Sequence, residues 1–297
     1  MLRRREALAF YVFTLPALIG LLGYWGGPII ASVGLSFFKY NALQPPVWAG
    51  LGNFQQLATD NAFPKVMGAT LYYVAGSVPL ATGTAFLLAA LLNQKVHGIY
   101  LFRALFYIPA VVSTVAVAII WIWVYHPSFG LLNMALDNIG IRGPEWLGST
   151  KWAMPAMIIM SMWGVGTSMI IFLAGFQGIP EHLYEAAVID GANWFAKFRN
   201  VTIPMMTPII FFLAVVNTIA AFQSFPFFYI MTAGGPGLTT MVMPLYLYNK
   251  AFEQLYFGYA SAIALVLFLM ILIATIIQFW GARRWVYYES GTADGGI

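Results

Sequence analysis

PEHLYEAAVIDGANWFAKFRNVTIPMMTP, residues 180–208, is a polar stretch with strongly apolar sequence on both sides. Pro180 suits the first position of a helix, and Glu181 places a negative charge at that helix's N-terminus. Leu183, Ala187 and Val188 then recur at helical spacing. Gly191 can take the left-handed conformation that stops a helix. A second short turn is predicted over 193–198, with Trp194, Phe195 and Phe198; Lys197 and Arg199 follow, and Pro204 opens the next apolar run. A short amphipathic helix, a glycine and a second helix inside so apolar a chain fit two roles. One is a docking element for a soluble partner, the other a helix lying among lipid headgroups. These residues alone are compatible with both.

The rest of the chain reads as membrane. Of its 297 residues 61% are hydrophobic and 8% are charged, and the mean hydropathy is +0.80. A soluble domain carries about 25% charge. The formal net charge of +4 does not suggest nucleic acid, because the basic residues are thinly spread beside apolar runs. Cysteine is absent, which excludes a disulfide frame, a thiol nucleophile and a thiolate-held metal.

A charge at the bilayer centre costs about 2.5–3.5 kcal/mol on insertion scales, so charge-free gaps locate the spans. The gaps run 6–39, 65–95, 103–137, 151–181, 199–250 and 253–283. They predict an all-α membrane protein with six transmembrane helices near 8–37, 66–92, 103–125, 152–176, 204–230 and 258–282. The membrane domain so defined covers 8–284, between a short N-terminus at 1–7 and a tail at 285–297. The fifth gap is long enough for two spans, but residues 232–237 break it, and Tyr246, Tyr248 and Asn249 make the remainder a poor span. Arg3, Arg4 and Arg5 ahead of the first run resemble a signal peptide; the run is too long for one and reads as a retained anchor. Placing the N-terminus inside puts Arg3, Arg4, Arg5, Lys95, Arg103, Lys197, Arg199, Arg283 and Arg284 inside. Lys39, Lys65, Arg142, Lys151 and Lys250 then fall outside. That excess favours both termini inside, and the 180–204 loop becomes cytoplasmic.

Glu185-Ala186-Ala187, then Gly191 after three residues, then Val201-Thr202-Ile203-Pro204 after nine more, resembles the EAA loop of bacterial ABC-importer permeases. Val201 and Ile203 stand where that family usually has Ile and Leu. Asp190-Gly191-Ala192, the stretch 50–54 (GLGNF), and the run from Gly234-Gly235-Pro236-Gly237 through Gly258-Tyr259-Ala260-Ser261-Ala262 resemble the carbohydrate branch. Similarity extends over nearly the whole chain, toward the first of the two permeases in importers of the maltose and glycerol-phosphate type. The resemblance implies a multi-pass inner-membrane subunit whose partners are a second permease chain, an ATPase dimer and an extracytoplasmic solute-binding protein. It also implies that ATP and magnesium sit on the ATPase, with no cofactor in this chain. Glu185, Ala186, Ala187, Asp190, Gly191 and Pro204 would form the coupling element, with Glu185 pairing with a basic residue in an ATPase cleft. Taken without the resemblance, Glu185 is a favourable early-turn charge and Gly191 an ordinary helix stop.

Little in the chain could carry covalent chemistry. His97, His126 and His182 fall in different loops, no Gly-rich phosphate loop ending in Gly-Lys-Ser/Thr occurs, and there is no Gly-x-Ser-x-Gly. Polar residues at membrane depth mark pathways more often than lipid-facing surface. Asn217, Ala221, Ser224 and Phe228 share one face of the fifth predicted span; Trp163, Gly164 and Thr167 lie on the fourth. Ring faces with hydroxyl and amide groups suit a neutral di- or oligosaccharide, and the resemblance implies a path lined from these two helices. The competing role for each residue is an interhelical hydrogen bond, about 0.6 kcal/mol on average. Glycerol 3-phosphate is the rival substrate, although a phosphate would favour an Arg or Lys in the path. A self-contained secondary transporter or channel is the rival class, but it would call for intramembrane carboxylates or histidines, and Asp60, Asp137, Glu145, Glu181, Glu185, Asp190 and Glu253 all fall in loops or at span ends.

Overall fold

The computed structural model describes residues 2–94 and 97–287, with side chains from residue 9 onward. Lys95, residues 288–297, and the side chains of Arg3, Arg4 and Arg5 lie outside that description. In order, the helices are α1 (Leu2–Ile19), α2 (Gly27–Leu35), α3 (Gly52–Thr59), α4 (Phe63–Leu92), α5 (Ile99–Val111), α6 (Thr114–Val124), α7 (Leu131–Asp137), α8 (Ala153–Met160), α9 (Gly166–Gln177), α10 (Glu181–Ile189), α11 (Trp194–Lys197), α12 (Ile203–Phe222), α13 (Pro226–Met231), α14 (Met243–Tyr248) and α15 (Phe257–Ala282). A π-helical segment, Gly20–Gly26, joins α1 to α2. The only strands among the described residues are β1 (Phe38–Lys39) and β2 (Val47–Trp48), paired antiparallel with Phe38 opposite Trp48.

Among the described residues, four helical stretches are long and apolar enough to cross a bilayer: Ala9–Leu35, Phe63–Leu92, Trp194–Phe222 and Phe257–Ala282. The region of the third predicted span is instead two helices, α5 and α6, meeting at 101°. Val112 and Ser113 between them are extended, at ψ 143° and 133°, which interrupts the i→i−4 ladder. The fourth region is also interrupted, with turns at 161–165 separating α8 from α9. There Ser161 Oγ donates back to Ile158 O at 2.6 Å, a bond that competes with the helix ladder. The fifth stops at Phe222 and restarts at Pro226. Charge-free length registers apolarity and cannot register a backbone break.

The chain divides into two compact units. The first comprises Met1–Phe63 with Tyr246–Leu269. In it the turn after α2 is pinned by Asn53, whose Nδ2 donates to Ser36 O at 2.8 Å and Phe38 O at 2.9 Å. Gly258 N donates to Tyr40 O at 3.1 Å. A side chain at Gly258 would collide with Phe38 O, so the close approach requires glycine. The GLGNF stretch and the Gly258-Tyr259-Ala260 stretch, about 200 positions apart in sequence, thus brace the same β1 turn. Beside them Asp60 Oδ2 accepts from the hydroxyls of Tyr246 and Tyr259, the latter at 2.7 Å. The Lys250 ammonium lies 5.0 Å from the Tyr246 ring centre.

The second unit comprises Pro64–Leu245 with Met270–Ile297. Its core joins Ala85, Ala89 and Leu92 of α4 to Met169, Phe172, Leu173 and Phe176 of α9 and Met206 and Leu213 of α12. Small residues on α4 admit the large ones of α9, which is how membrane helices approach closely. Phe86 lies against Phe172 at 5.4 Å and Phe176 at 5.3 Å.

Candidate functional site

Two places in the second unit bring the singled-out residues together. The first is a cavity of about 190 Å³ lined by Tyr73, Ser77, Val78 and Ala81 of α4, Ser161, Gly164, Val165 and Ser168 from the α8–α9 break and its flank, and Asn217, Ala220, Ala221, Ser224 and Phe227 from the α12–α13 break and its flank. Both broken helices therefore break at the cavity wall. Non-helical backbone at membrane depth is tolerated where it lines such a space or is buried in protein, because exposed N–H and C=O groups have no partner in lipid.

Its polar groups are mostly hydroxyls. Ser77 Oγ is buried, and the Tyr73 hydroxyl faces it and Ser224. Asn217 Nδ2 donates to Thr82 Oγ1 on α4 at 3.0 Å, leaving its carbonyl oxygen for another partner. Among the described residues, no carboxylate, histidine, lysine or arginine lines the space.

Of the seven residues predicted for a pathway, Gly164, Asn217, Ala221 and Ser224 line this cavity and Trp163, Thr167 and Phe228 do not. Trp163 is half exposed and packs edge-on against Trp121 at 5.8 Å, and Thr167 is exposed. Phe228 is fully buried beneath Tyr73, with ring centres 4.8 Å apart. The interruption at 223–225 turns α13 away from the face of α12, so Phe227 rather than Phe228 reaches the cavity. Tyr73, Ser77, Ser161 and Ser168 add further hydroxyls to the lining; hydroxyls at membrane depth were the available signal, but no spacing links α4 to the other two helices.

The second place is the loop. Pro180 precedes α10 as its N-cap, one position earlier than its helix-starting role predicts, and Glu181 occupies the first turn. Leu183, Tyr184 and Ala187 are half-buried, whereas Val188 faces out. Gly191 sits at φ +77°. Gly191 N donates to Val188 O at 3.0 Å and Ala192 N to Ala187 O at 2.8 Å. These two bonds form a Schellman motif with glycine at its left-handed position. Asn193 Oδ1 then accepts from Ala196 N at 2.8 Å, capping α11. Tyr184 and Thr202 hydroxyls, 3.0 Å apart, tie α10 to the start of α12, where Pro204 occupies the first turn. Glu185, Ala186 and Asp190 are exposed. So are Val188, Ile189 at 87%, Trp194 at 73% and Phe195. That much apolar surface beside a free carboxylate has the composition of an interaction site.

Residues 78–287 match the family described as binding-protein-dependent transport system inner membrane component. The chain belongs to that family. It is 39% identical to a probable ABC transporter permease protein, YesP, of Bacillus subtilis, over 97% of this chain and 94% of the relative. It is 32% identical to the trehalose/maltose transport system permease protein MalF of Thermococcus litoralis, over 93% of this chain and 94% of that one. With the lactose transport system permease protein LacF of Rhizobium radiobacter it shares 33% identity, over 95% and 97%. A crystal structure of a bacterial ABC transporter that imports alginate superposes with a TM-score of 0.83 over 94% of this chain and 96% of that one; at 24% identity the likeness is one of fold. The chain is an ABC permease of the inner membrane, and the matched residues include the 180–208 loop and all of the cavity lining except Tyr73 and Ser77.

Proposed function

We propose that this chain is one of two permease subunits of an ATP-driven importer and that it passes a neutral di- or oligosaccharide, delivered by an extracytoplasmic binding protein. The cavity at the two helix breaks carries the reading: serine hydroxyls, one amide and aromatic rings, with no charged side chain on its wall. Such a lining offers hydrogen bonds and ring faces to a polyol and offers no counter-charge. A glycerol phosphate would favour an arginine or lysine there. The sugar names of the trehalose/maltose and lactose relatives support the same substrate class.

ATP and magnesium belong in this reading to a separate ATPase pair. The 180–204 loop is its docking element, with Glu185 meeting a basic residue of the ATPase and Ile189, Trp194 and Phe195 burying against it. Gly191 and Asp190 end the lever and Pro204 joins it to α12. ATP-driven closure of the ATPase pair would move α10, and the permease would shift between outward and inward access. The test is a panel of neutral oligosaccharides against anionic sugars and glycerol 3-phosphate, applied to the purified complex with its binding protein in proteoliposomes. Stimulated ATP hydrolysis and uptake by a neutral saccharide alone is the expected result; stimulation by a phosphorylated or acidic solute alone would overturn the substrate class.

A further inference from the structure

The first unit holds a pocket of its own, of about 390 Å³. Small-molecule sites commonly measure about 300–1,000 Å³. Three tyrosine rings, Tyr40, Tyr256 and Tyr259, stand on its wall with Asn53, Gln56 and Lys39. Tyr259 is buried, and its hydroxyl donates to Asp60 Oδ2 at 2.7 Å. Asn53 is buried too, and its Nδ2 is spent on Ser36 O and Phe38 O. Among the described residues nothing donates to Asn53 Oδ1, so that acceptor is free for an occupant. Gly258 N holds the backbone of Tyr40. Much of the wall is therefore fixed before anything binds, which lowers the ordering cost of binding. Lys39 and Tyr256 are exposed, and among the described residues the Lys39 ammonium makes no ion pair or hydrogen bond. On the six-span reading Lys39 falls outside.

We propose that this pocket is a second saccharide site, on the outer side of the chain, for a neutral di- or oligosaccharide. Its polar groups select the occupant. Asn53 Oδ1 calls for a donor and the Lys39 ammonium for an acceptor, and a sugar hydroxyl is both. A carboxylate or a phosphodiester brings acceptors alone and would set one against Asn53 Oδ1. The exposed Tyr256 ring offers a flat apolar face to a pyranose. The inference rests on the saccharide reading, but the pocket shares no residue with the cavity at the helix breaks, so the two are tested apart.

The chain lacks cysteine, so Gln56→Cys gives it a single thiol on the pocket wall. The full complex, in nanodiscs and without its binding protein, is treated with a maleimide in the presence of maltose, trehalose, lactose or maltotriose, and labelling of this chain is read by mass spectrometry. At least one of these sugars is expected to slow labelling at position 56 and to leave labelling of Ser128→Cys, outside the pocket, unchanged. Tyr256→Ala should raise the half-protecting concentration roughly tenfold, and Tyr256→Phe should stay close to the parent. An unchanged thermal unfolding curve shows that both variants are folded. Asn217→Ala, in the cavity, should lower uptake without altering protection at position 56. Uptake of a neutral saccharide with no protection at position 56 overturns this site and leaves the proposed function standing. Uptake and protection by glycerol 3-phosphate or glucuronate alone overturn both. Protection that is lost in Asn217→Ala, or that phosphatidylglycerol in the nanodisc supplies without sugar, overturns the site as well.

Discussion

Asn217 has two claims on it, and they separate energetically. Its bond to Thr82 ties α12 to α4, and an interhelical bond in a bilayer averages about 0.6 kcal/mol. If Asn217 only ties helices, Asn217→Ala and Thr82→Val remove the same bond and lower transport equally. If it also meets substrate through its free carbonyl, Asn217→Ala should lower uptake roughly two- to tenfold more than Thr82→Val, the span of one net hydrogen bond. Transport rates of both variants in proteoliposomes decide this. Asp60 poses a different question, because it lies between α3 and α4 outside the long spans. Burial disfavours its charge, but hydrogen bonds from Tyr246, Tyr259 and Ala62 N–H, with Lys250 nearby, outweigh that and hold its carboxyl below the ordinary value of 3.8. A depressed carboxylate contributes its stability above its unfolded value and loses it as pH falls through the folded one. Asp60→Asn should therefore cost about 1 kcal/mol at pH 7, allowing for solvent screening. The difference from the parent should close as pH drops below 3.8. Thermal unfolding in detergent across that range measures it; a difference independent of pH would place the effect in packing.

Among the elements, α10 and the loop after it were the most legible. Its start, its stop at Gly191 and its second turn at 194–197 follow from local chemistry: a proline, an acidic first turn, a left-handed glycine and a capping asparagine. What the sequence did not disclose was which side faces out. Val188 belongs to the apolar repeat yet is exposed, while Tyr184 turns inward because its hydroxyl meets Thr202 eighteen positions on. The broken spans were less legible still, since a turn at 161–165 inside an apolar run depends on one serine bonding backward and on a cavity that relieves the exposed backbone. Gly191→Val isolates the lever. Nothing lies within 4 Å of a new Cβ there, so the cost is conformational: a β-branched residue at φ +77° is disfavoured by about 1–2 kcal/mol. That strain falls on the end of α10 and spares the cavity. The complex carrying this variant is expected to assemble and hydrolyse ATP on its ATPase pair but to lose most of its uptake. Normal uptake at normal expression would show that α10 need not act as a rigid lever.

At the scale of the whole molecule, orientation is the property that joins cavity and loop into one machine, and it is a matter of charge count. On the six-span reading, nine basic residues of the sequence (Arg3, Arg4, Arg5, Lys95, Arg103, Lys197, Arg199, Arg283 and Arg284) share a side with the 180–204 loop, against five (Lys39, Lys65, Arg142, Lys151 and Lys250) on the other. The positive-inside bias predicts that loop on the cytoplasmic side, the side on which the proposed ATPase could reach Glu185. The absence of cysteine makes the inference measurable, because every thiol introduced is the only one. His182 on α10 and Ser128 between α6 and α7 are both exposed. In intact spheroplasts a membrane-impermeant maleimide should label Ser128→Cys and leave His182→Cys untouched until the membrane is permeabilised. The opposite pattern would turn α10 outward, away from any source of ATP, and its exposed Ile189, Trp194 and Phe195 would then need an extracytoplasmic partner.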